Sequence, residues 1–517
     1  MINNILLSTN IKNIENINIY DNVNINYESN VDSFFEEVGI VLEVSDGIVN
    51  ISGLYNVAFG EMIDIIVPGQ ESIVGIILNI ENFKVSAVIF SNDIDILPGY
   101  LVMRKYISMS VPTGTSLLGR VVDPLGNPLD NLGNIVNKGF RFIEQVAPSI
   151  ISRSAVNKPL ETGLKVVDSM VPIGHGQREL IIGDTKTGKT SIAIDTILNQ
   201  KSEDTICIYV AIGQKRSSVA RIAKLLKNKD CLRSSIIVAA TASDTAASQY
   251  IAPYCGCSMG EYFMNLGLRV SIIYDDLSKH AVSYRQLSLL LRRPPGREGY
   301  PGDVFFLHSR LLERASNLRT GGSITALPII ETIQGDVSAY VPTNVISITD
   351  GQIFLETELF SRGIRPAVSP GLSVSRVGSA AQNKVIKGMA GTLKLELAQF
   401  REVEGFTKLG LVLDDATKQL VDRGSRLTSL LIQKRFVPLP IYEQILLLFS
   451  ALNGYLETIP SNMIYLYENL FKKWFMNSIY YYPISRSIVS TIFPAELVNF
   501  IIWEFSNNFA LFYKNNY

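Results

Sequence analysis

The octapeptide Gly183-Asp184-Thr185-Lys186-Thr187-Gly188-Lys189-Thr190 fits the pattern G-x-x-x-x-G-K-[ST], and no other stretch limits the fold as much. An apolar, strand-like run, Glu179-Leu180-Ile181-Ile182, feeds into it, and a helix-like run from Ser191 to Leu198 leaves it. Strand, glycine loop and helix in that order aim backbone N–H groups and a helix N-terminus at an anion. In such a loop Lys189 reaches the outer phosphates of a nucleotide, and the Thr190 hydroxyl serves Mg²⁺.

A chain of 517 residues is too long for one ordinary core, so roughly two to four domains are expected. Charged residues at 18% and hydrophobic ones at 47% describe a globular protein, and a net charge of −1 gives no electrostatic case for a nucleic-acid partner. Cys207, Cys231, Cys255 and Cys257 are too few for a disulfide scaffold at this size, and Cys255-x-Cys257 has the wrong spacing for zinc. Free thiols in a reducing compartment are expected. His175, His280 and His308 form no metal-ligand spacing.

The start is rich in Asn and Ile and carries Glu15, Asp21 and Glu28, which fits neither a signal peptide nor an Arg-rich transit peptide. The protein is expected to be made where it works or to carry an import signal of another kind. From Ile488 to Tyr513 the chain is strongly apolar, but Pro494, Glu496, Asn499 and Glu504 interrupt it. A membrane span needs about 20 mostly apolar residues, so this stretch reads as buried helix.

The texture changes along the chain predict a multidomain α/β protein. Residues 1–30 read as a polar tail, and residues 31–106 as a small β-barrel. Residues 107–385 read as a P-loop, RecA-like domain with a mostly parallel sheet and helices on both faces, and residues 386–517 as a helical bundle. In the first part Val38–Val44, Ile48–Ile51 and Ser86–Phe90 are short β-branched runs separated by turn signals such as Asp46-Gly47. In the second, Ile206–Ile212, Ser235–Ala240, Val270–Tyr274 and Thr343–Ile348 are strand candidates, and Ser217–Lys227 a helix candidate. In the third, Leu393–Phe400, Ala416–Val421, Ile441–Asn453 and Met463–Phe475 read as helices.

Three further features bear on chemistry. The run Val270 to Asp276 is an apolar strand ending in two carboxylates, a Walker B pattern, with Asp275 favoured as the metal-side acid. The tip of the strand beside the P-loop reads Ile212-Gly213-Gln214-Lys215-Arg216. An ATPase needs a group there that polarises water. Gln214 is an amide that orients water but accepts no proton at neutral pH, so binding of ATP with poor cleavage is expected. The alternative is that Gln214 caps the following helix. The third feature is Arg376, alone in a small-residue loop, Ser373 to Gly378. It reads either as a salt-bridge partner or as an arginine that reaches across an interface to a transferring phosphoryl group.

These motifs resemble the α-subunit family of the F-type ATP synthase. Leu118-Gly-Arg-Val-Val-Asp-Pro-Leu-Gly-Asn, Ala211-Ile-Gly-Gln-Lys-Arg-Ser, Ala240-Thr-Ala-Ser-Asp, Cys257-Ser-Met-Gly-Glu-Tyr and Tyr274-Asp-Asp-Leu-Ser-Lys carry the likeness. So do Arg292 to Asp303 and Ser373 to Gln382. The resemblance runs from about Val31 to about Pro440.

It implies three α and three β subunits alternating around a rotating central stalk, with catalytic sites on β and non-catalytic ones on α. The complex makes ATP from ADP and phosphate with a proton gradient. Gln214 matches α, since the catalytic paralogue has a glutamate there.

Carried over residue by residue, Gly183 to Thr190 bind the phosphates of ATP or ADP, and Thr190 and Asp275 hold Mg²⁺. Arg376 resembles the arginine finger lent to the neighbouring β site, and Ser347 another residue near that interface. Phe360, Arg365, Pro366 and Gln433 fall where the family packs adenine. Pro294 to Gly302 resembles the sleeve on the central stalk, and the N-terminal tail falls where the family meets the peripheral stalk.

The chain departs from the family at Thr185-Lys186 (usually Arg-Gln) and at Gln433-Lys434-Arg435 (usually Gln-Gly-Gln). The first adds a charge beside the phosphates, and the second is expected to alter the adenine pocket. The likeness is weak before Val31 and after Pro440. A protein-export ATPase would favour a glutamate in place of Gln214, an RNA motor a basic, aromatic-rich barrel, and a vacuolar-type non-catalytic subunit a degraded P-loop. None of these is present. The expected location is the matrix side of the mitochondrial inner membrane, with membrane attachment through partners only, and a bacterial or plastid membrane as the alternative.

Overall fold

The computed structural model describes residues 37–91, 95–136, 139–202, 204–408, 414–489 and 493–516. The expected tail at 1–30, with its peripheral-stalk junction, lies outside them. Six strands close a barrel in the order β1-β2-β5-β4-β3-β6. They are β1 (Val38–Ser45), β2 (Ile48–Ser52), β3 (Glu61–Ile65), β4 (Ile73–Ile80), β5 (Val85–Ile89) and β6 (Leu101–Ser108), all paired antiparallel. Inward residues such as Val49, Ile51, Ile63, Ile65 and Val102 fill the interior at the two-residue period of a strand. β5 is buried at every position. Its Ala87 and Ile89 face the barrel core, while Val88, with Ile76 and Leu78 of β4, packs on the next domain.

Two short ribbons bracket that next domain: β7 (Ser110–Thr113) with β9 (Gly139–Phe142), and β10 (Pro159–Leu160) with β11 (Ile173–Gly174). Its main sheet has eight strands in the order β18-β17-β12-β16-β15-β13-β14-β8. These are β8 (Val121–Val122), β12 (Leu180–Asp184), β13 (Thr205–Gln214), β14 (Ser235–Thr241), β15 (Arg269–Asp275), β16 (Ser323–Thr332), β17 (Gly351–Leu355) and β18 (Val374–Ser375). All neighbours run parallel except β17 and β18. Both faces are covered, so the strands read as continuous apolar runs. Tyr209 and Ala211 of β13 face the P-loop helix Lys189–Asn199, while Ile208, Val210 and Ile212 face the helix Ala246–Asn265.

The expected strand at Thr343–Ile348 is instead part of a helix, Tyr340–Ile348. Its β-branched residues suggested a strand, but Val341, Val345 and Ile348 recur at helical spacing and are the ones buried. β16 and β17 had not been expected. β16 carries Pro328, an unusual residue for an interior strand. Here Pro328 stands opposite Tyr274 of β15, and pairing to β12 begins only at Ile329.

The C-terminal part consists of the helices Lys384–Lys408, Asp415–Leu431, Ile441–Leu452, Ile464–Asn477, Tyr481–Val489 and Ala495–Asn516. The apolar end is buried, as expected, through Ile488, Val498, Ile501, Ile502, Phe505 and Phe509, but it divides into two helices. Among the described residues no helix is long and apolar enough to cross a membrane. All four cysteines are free and buried.

Candidate functional site

The P-loop joins the C-terminal end of β12 to the helix Lys189–Asn199. Gly188 sits at φ 105°, outside the range of ordinary side chains. At Gly183 an added Cβ would lie 2.7 Å from the carbonyl oxygen of Leu355. Asp184 anchors the loop. Its carboxylate accepts from Thr332 Oγ1 at 2.6 Å, from the Gly335 amide at 2.8 Å and from Thr357 Oγ1 at 2.8 Å. Burial would raise its pKa, but these bonds outweigh it and lower it. Thr187 Oγ1 donates to Asp184 O at 2.7 Å. Thr185 and Lys186 are exposed, with Lys186 at φ 65°.

Lys189 is buried and donates to the carbonyls of Gly183 and Asp184 at 2.9 and 2.6 Å, with Glu331 at 3.7 Å. Burial lowers its pKa, and Glu331, Asp276 and Asp275 oppose that shift. At the end of β15, Asp275 Oδ2 accepts from Thr190 Oγ1 at 2.8 Å and from Tyr209 OH at 2.7 Å. Asp276 caps the next helix by accepting from the Lys279 amide at 2.7 Å. Burial pushes its pKa up to about 6, against the pull of the Lys279 ammonium.

Gln214 does not cap the helix Arg216–Asn228, whose N-cap is Lys215. Its amide turns inward and donates to the Asp275 carbonyl at 3.3 Å. The tip of β13 thus presents an amide side chain beside Asp275.

A second group follows the end of β17, on the same side as the P-loop. Arg365 stacks over Phe360 at 4.3 Å, and Pro366 is half-buried beside them. The Gln433 amide N–H donates to Arg365 O at 2.8 Å, which brings all four expected adenine-pocket residues together. The Gln433 side chain is tied to backbone. It accepts from the Lys165 amide at 3.1 Å and donates to Gly163 O and Val437 O at 2.8 and 2.9 Å. Lys434 lies 4.8 Å from the Tyr465 ring centre, turned toward the C-terminal helices.

Arg376 stands apart. β18 pairs with the start of β17, Gly351 opposite Ser375, whereas the P-loop follows the end of β12. At about 3.3 Å per residue, the length of a strand separates them. The Arg376 amide donates to Asp350 O at 2.8 Å, and Asp350 is gripped by Arg178 through bonds of 2.8 to 3.1 Å. Its side chain is exposed. Ser347 is exposed on the helix that ends just before Asp350, with its hydroxyl on Asn344 O at 2.6 Å. Sequence reasoning missed Tyr209, Thr332 and Thr357. Only Tyr209 left a sign, as the one side chain with a polar tip in the apolar run Ile206–Ile212.

The nucleotide-binding domain of the ATP synthase alpha/beta family matches residues 163–375, its beta-barrel domain residues 35–104 and its C-terminal domain residues 382–489. An ATP synthase subunit alpha from Rickettsia bellii is 57% identical over 447 residues, covering 84% of this chain and 86% of that protein. The chain belongs to the α subunits of the F-type ATP synthase. As a member of that family it is a nucleotide-binding chain. The family match at its C-terminal domain runs to residue 489, well past Pro440, where the visible likeness fades. The helix Ala495–Asn516 lies beyond the three matched ranges.

Proposed function

We propose that this chain is the non-catalytic, regulatory α subunit of the rotary head, which holds Mg-ATP or Mg-ADP without cleaving it. The observation that carries the reading is Gln214, pinned at 3.3 Å on the Asp275 carbonyl where a water-activating carboxylate would stand. The residues Gly183 to Thr190 cradle the phosphates, and Phe360, Arg365, Pro366 and Gln433 bound the base.

Thr190 and Asp275 suit Mg²⁺. They offer two hard oxygen groups 2.8 Å apart. Among the described residues no cluster of three or more His, Cys, Asp or Glu would hold a metal unaided. That pattern fits an ion that takes its remaining ligands from phosphate and water. Bound there, Mg²⁺ neutralises phosphate charge, while Lys189 and the loop amides orient the nucleotide.

The chain alternates with three β subunits in a ring of three α, contacts a central stalk through Pro294 to Gly302, and meets a peripheral stalk through its N-terminal tail. Arg376 reaches the neighbouring β site as an arginine finger, with Ser347 beside it. Its exposure and its distance from this chain's own P-loop support that role. The complex makes ATP from a proton gradient, and the chain is held at the membrane through its partners. We place it at the mitochondrial inner membrane on the Asn- and Ile-rich composition of residues 1–30. The bacterial relative supports a bacterial membrane as the alternative.

Purified full-length chain is expected to bind Mg-ATP and to show negligible turnover, measured by phosphate release. Rapid hydrolysis without β subunits refutes the reading.

A further inference from the structure

β13 crosses the sheet between two apolar layers, and every side chain from Cys207 to Ile212 is buried. Tyr209 alone in that run has a polar tip. It is fully buried on the face under the P-loop helix, among Ile237 and Ile273 of the flanking strands. A hydroxyl in such a layer costs free energy unless it is bonded. Phenylalanine would fill the same space without that cost, so packing alone does not account for the oxygen.

The register shows where the oxygen goes. Tyr209 stands opposite Ile273 on β15, and Ala211 opposite Asp275. Residues two apart share a face. The ring therefore lies along the strand past the small Ala211, and its hydroxyl arrives at Asp275 Oδ2, 2.7 Å away. The same oxygen receives Thr190 Oγ1 at 2.8 Å, and the Asp275 backbone carbonyl receives Gln214. The carboxylate is thus braced from the sheet side by Tyr209 and from the loop side by Thr190.

We propose that Tyr209 is a positioning residue for the metal-side acid: its hydroxyl fixes the Asp275 carboxylate in the orientation that receives the magnesium of a bound Mg-nucleotide. This rests on the reading of Thr190 and Asp275 as the Mg²⁺ residues. The Thr190 hydroxyl can donate to Asp275 while it offers a lone pair to the ion, but a single bond from the loop side leaves the carboxylate free to turn, and Tyr209 adds the second bond from the sheet side. Tyr209 touches neither nucleotide nor metal, and it acts only through Asp275. Groups in this position orient first ligands, and their loss typically lowers metal affinity about 10- to 100-fold.

The test uses the full-length chain and its Tyr209→Phe variant, which keeps the ring and its packing. ATP affinity is measured by calorimetry with excess MgCl₂ and again in EDTA. For wild type, Mg²⁺ is expected to tighten binding. For Tyr209→Phe, affinity in Mg²⁺ is expected to fall about tenfold, at the low end of that range because Thr190 remains. Affinity in EDTA is expected to stay within about twofold. In an Asp275→Asn background, Tyr209→Phe is expected to add nothing further in Mg²⁺.

Equal losses with and without Mg²⁺, no loss in either, or a further loss in the Asp275→Asn background would each overturn the role of Tyr209. If wild-type affinity is the same in Mg²⁺ and EDTA, the metal reading of Thr190 and Asp275 fails first, and that result is distinct from the others.

Discussion

Replacing Glu468 by Gln should unseat the C-terminal helices from the nucleotide-binding domain. Lys165 is 0% exposed, and its ammonium donates to Glu468 Oε2 at 2.8 Å and to Ile432 O at 3.3 Å. Glu468 belongs to the helix Ile464–Asn477 and also holds Lys472 at 2.5 Å. Burial lowers the Lys165 pKa, and the Glu468 charge opposes that. Removing one partner of a buried pair costs about 3–5 kcal/mol, because the other charge is left uncompensated. Gln still offers an acceptor oxygen, so about 3 kcal/mol is expected.

The two tryptophans, Trp474 and Trp503, both lie in C-terminal helices, so their fluorescence reports this part of the chain alone. With a urea slope of about 1–3 kcal/mol per molar, the midpoint of that transition should drop by about 1–3 M. A lysine whose folded pKa is depressed costs stability at low pH, and that cost fades as pH rises toward its unfolded value of 10.5. The deficit of Glu468→Gln should therefore shrink between pH 7 and pH 10. The pair Lys165→Met with Glu468→Leu should return to within about 1 kcal/mol of wild type, as apolar replacements of buried pairs do. A single-variant midpoint within about 0.3 M of wild type, on the same slope scale, would refute the argument.

In the assembled complex, Arg376→Ala should leave ATP binding largely intact and cut turnover by about 10³-fold or more, on the scale of other arginine fingers. Steady-state hydrolysis at saturating ATP checks this, and unchanged turnover removes Arg376 from that role. All three histidines are buried, and burial pushes the pKa of His175 and of His280 down to about 4 and lowers that of His308 as well. The unfolded chain binds these protons near pH 6.5, whereas the folded one refuses them. Stability is therefore full above about 6.5 and falls as pH drops toward 4, by up to about 3 kcal/mol for His280. Melting temperature against pH should show this fall, and a His280→Gln variant should flatten it.

The phosphate loop was legible because its demands are local. Gly188 needs its backbone angle, Gly183 lacks room for a Cβ, and both constraints are written in the residues themselves. The barrel strands and the strand ending in Asp275 were legible from their periods. What escaped depends on tertiary partners. Thr343 to Ile348 has the composition of a strand, and only the buried face through Val341, Val345 and Ile348 makes it helix. Pro328 hid β16, because the register that tolerates it belongs to the sheet. Gln433 was expected with Arg365, and its backbone N–H meets the Arg365 carbonyl, but its side-chain amide is committed to nearby Val437 and to Gly163 and Lys165, which lie far away in the chain.

The loop as it stands is self-satisfied, which bears on how a nucleotide enters it. Lys189 rests on two carbonyls of the loop itself, and Asp184 is held by Thr332, Gly335 and Thr357. A phosphate that draws Lys189 away replaces two bonds from its ammonium to neutral carbonyl oxygens with bonds to anionic oxygens, and the bonds holding Asp184 remain. The nearby charges then decide the form of the ligand. Asp275, Asp276 and Glu331 all act on Lys189. Such a setting is costly for a bare polyphosphate and much less so for one whose charge a divalent ion has reduced. On the proposed reading, selection for the magnesium complex begins with these carboxylates, before Thr190 makes any contact.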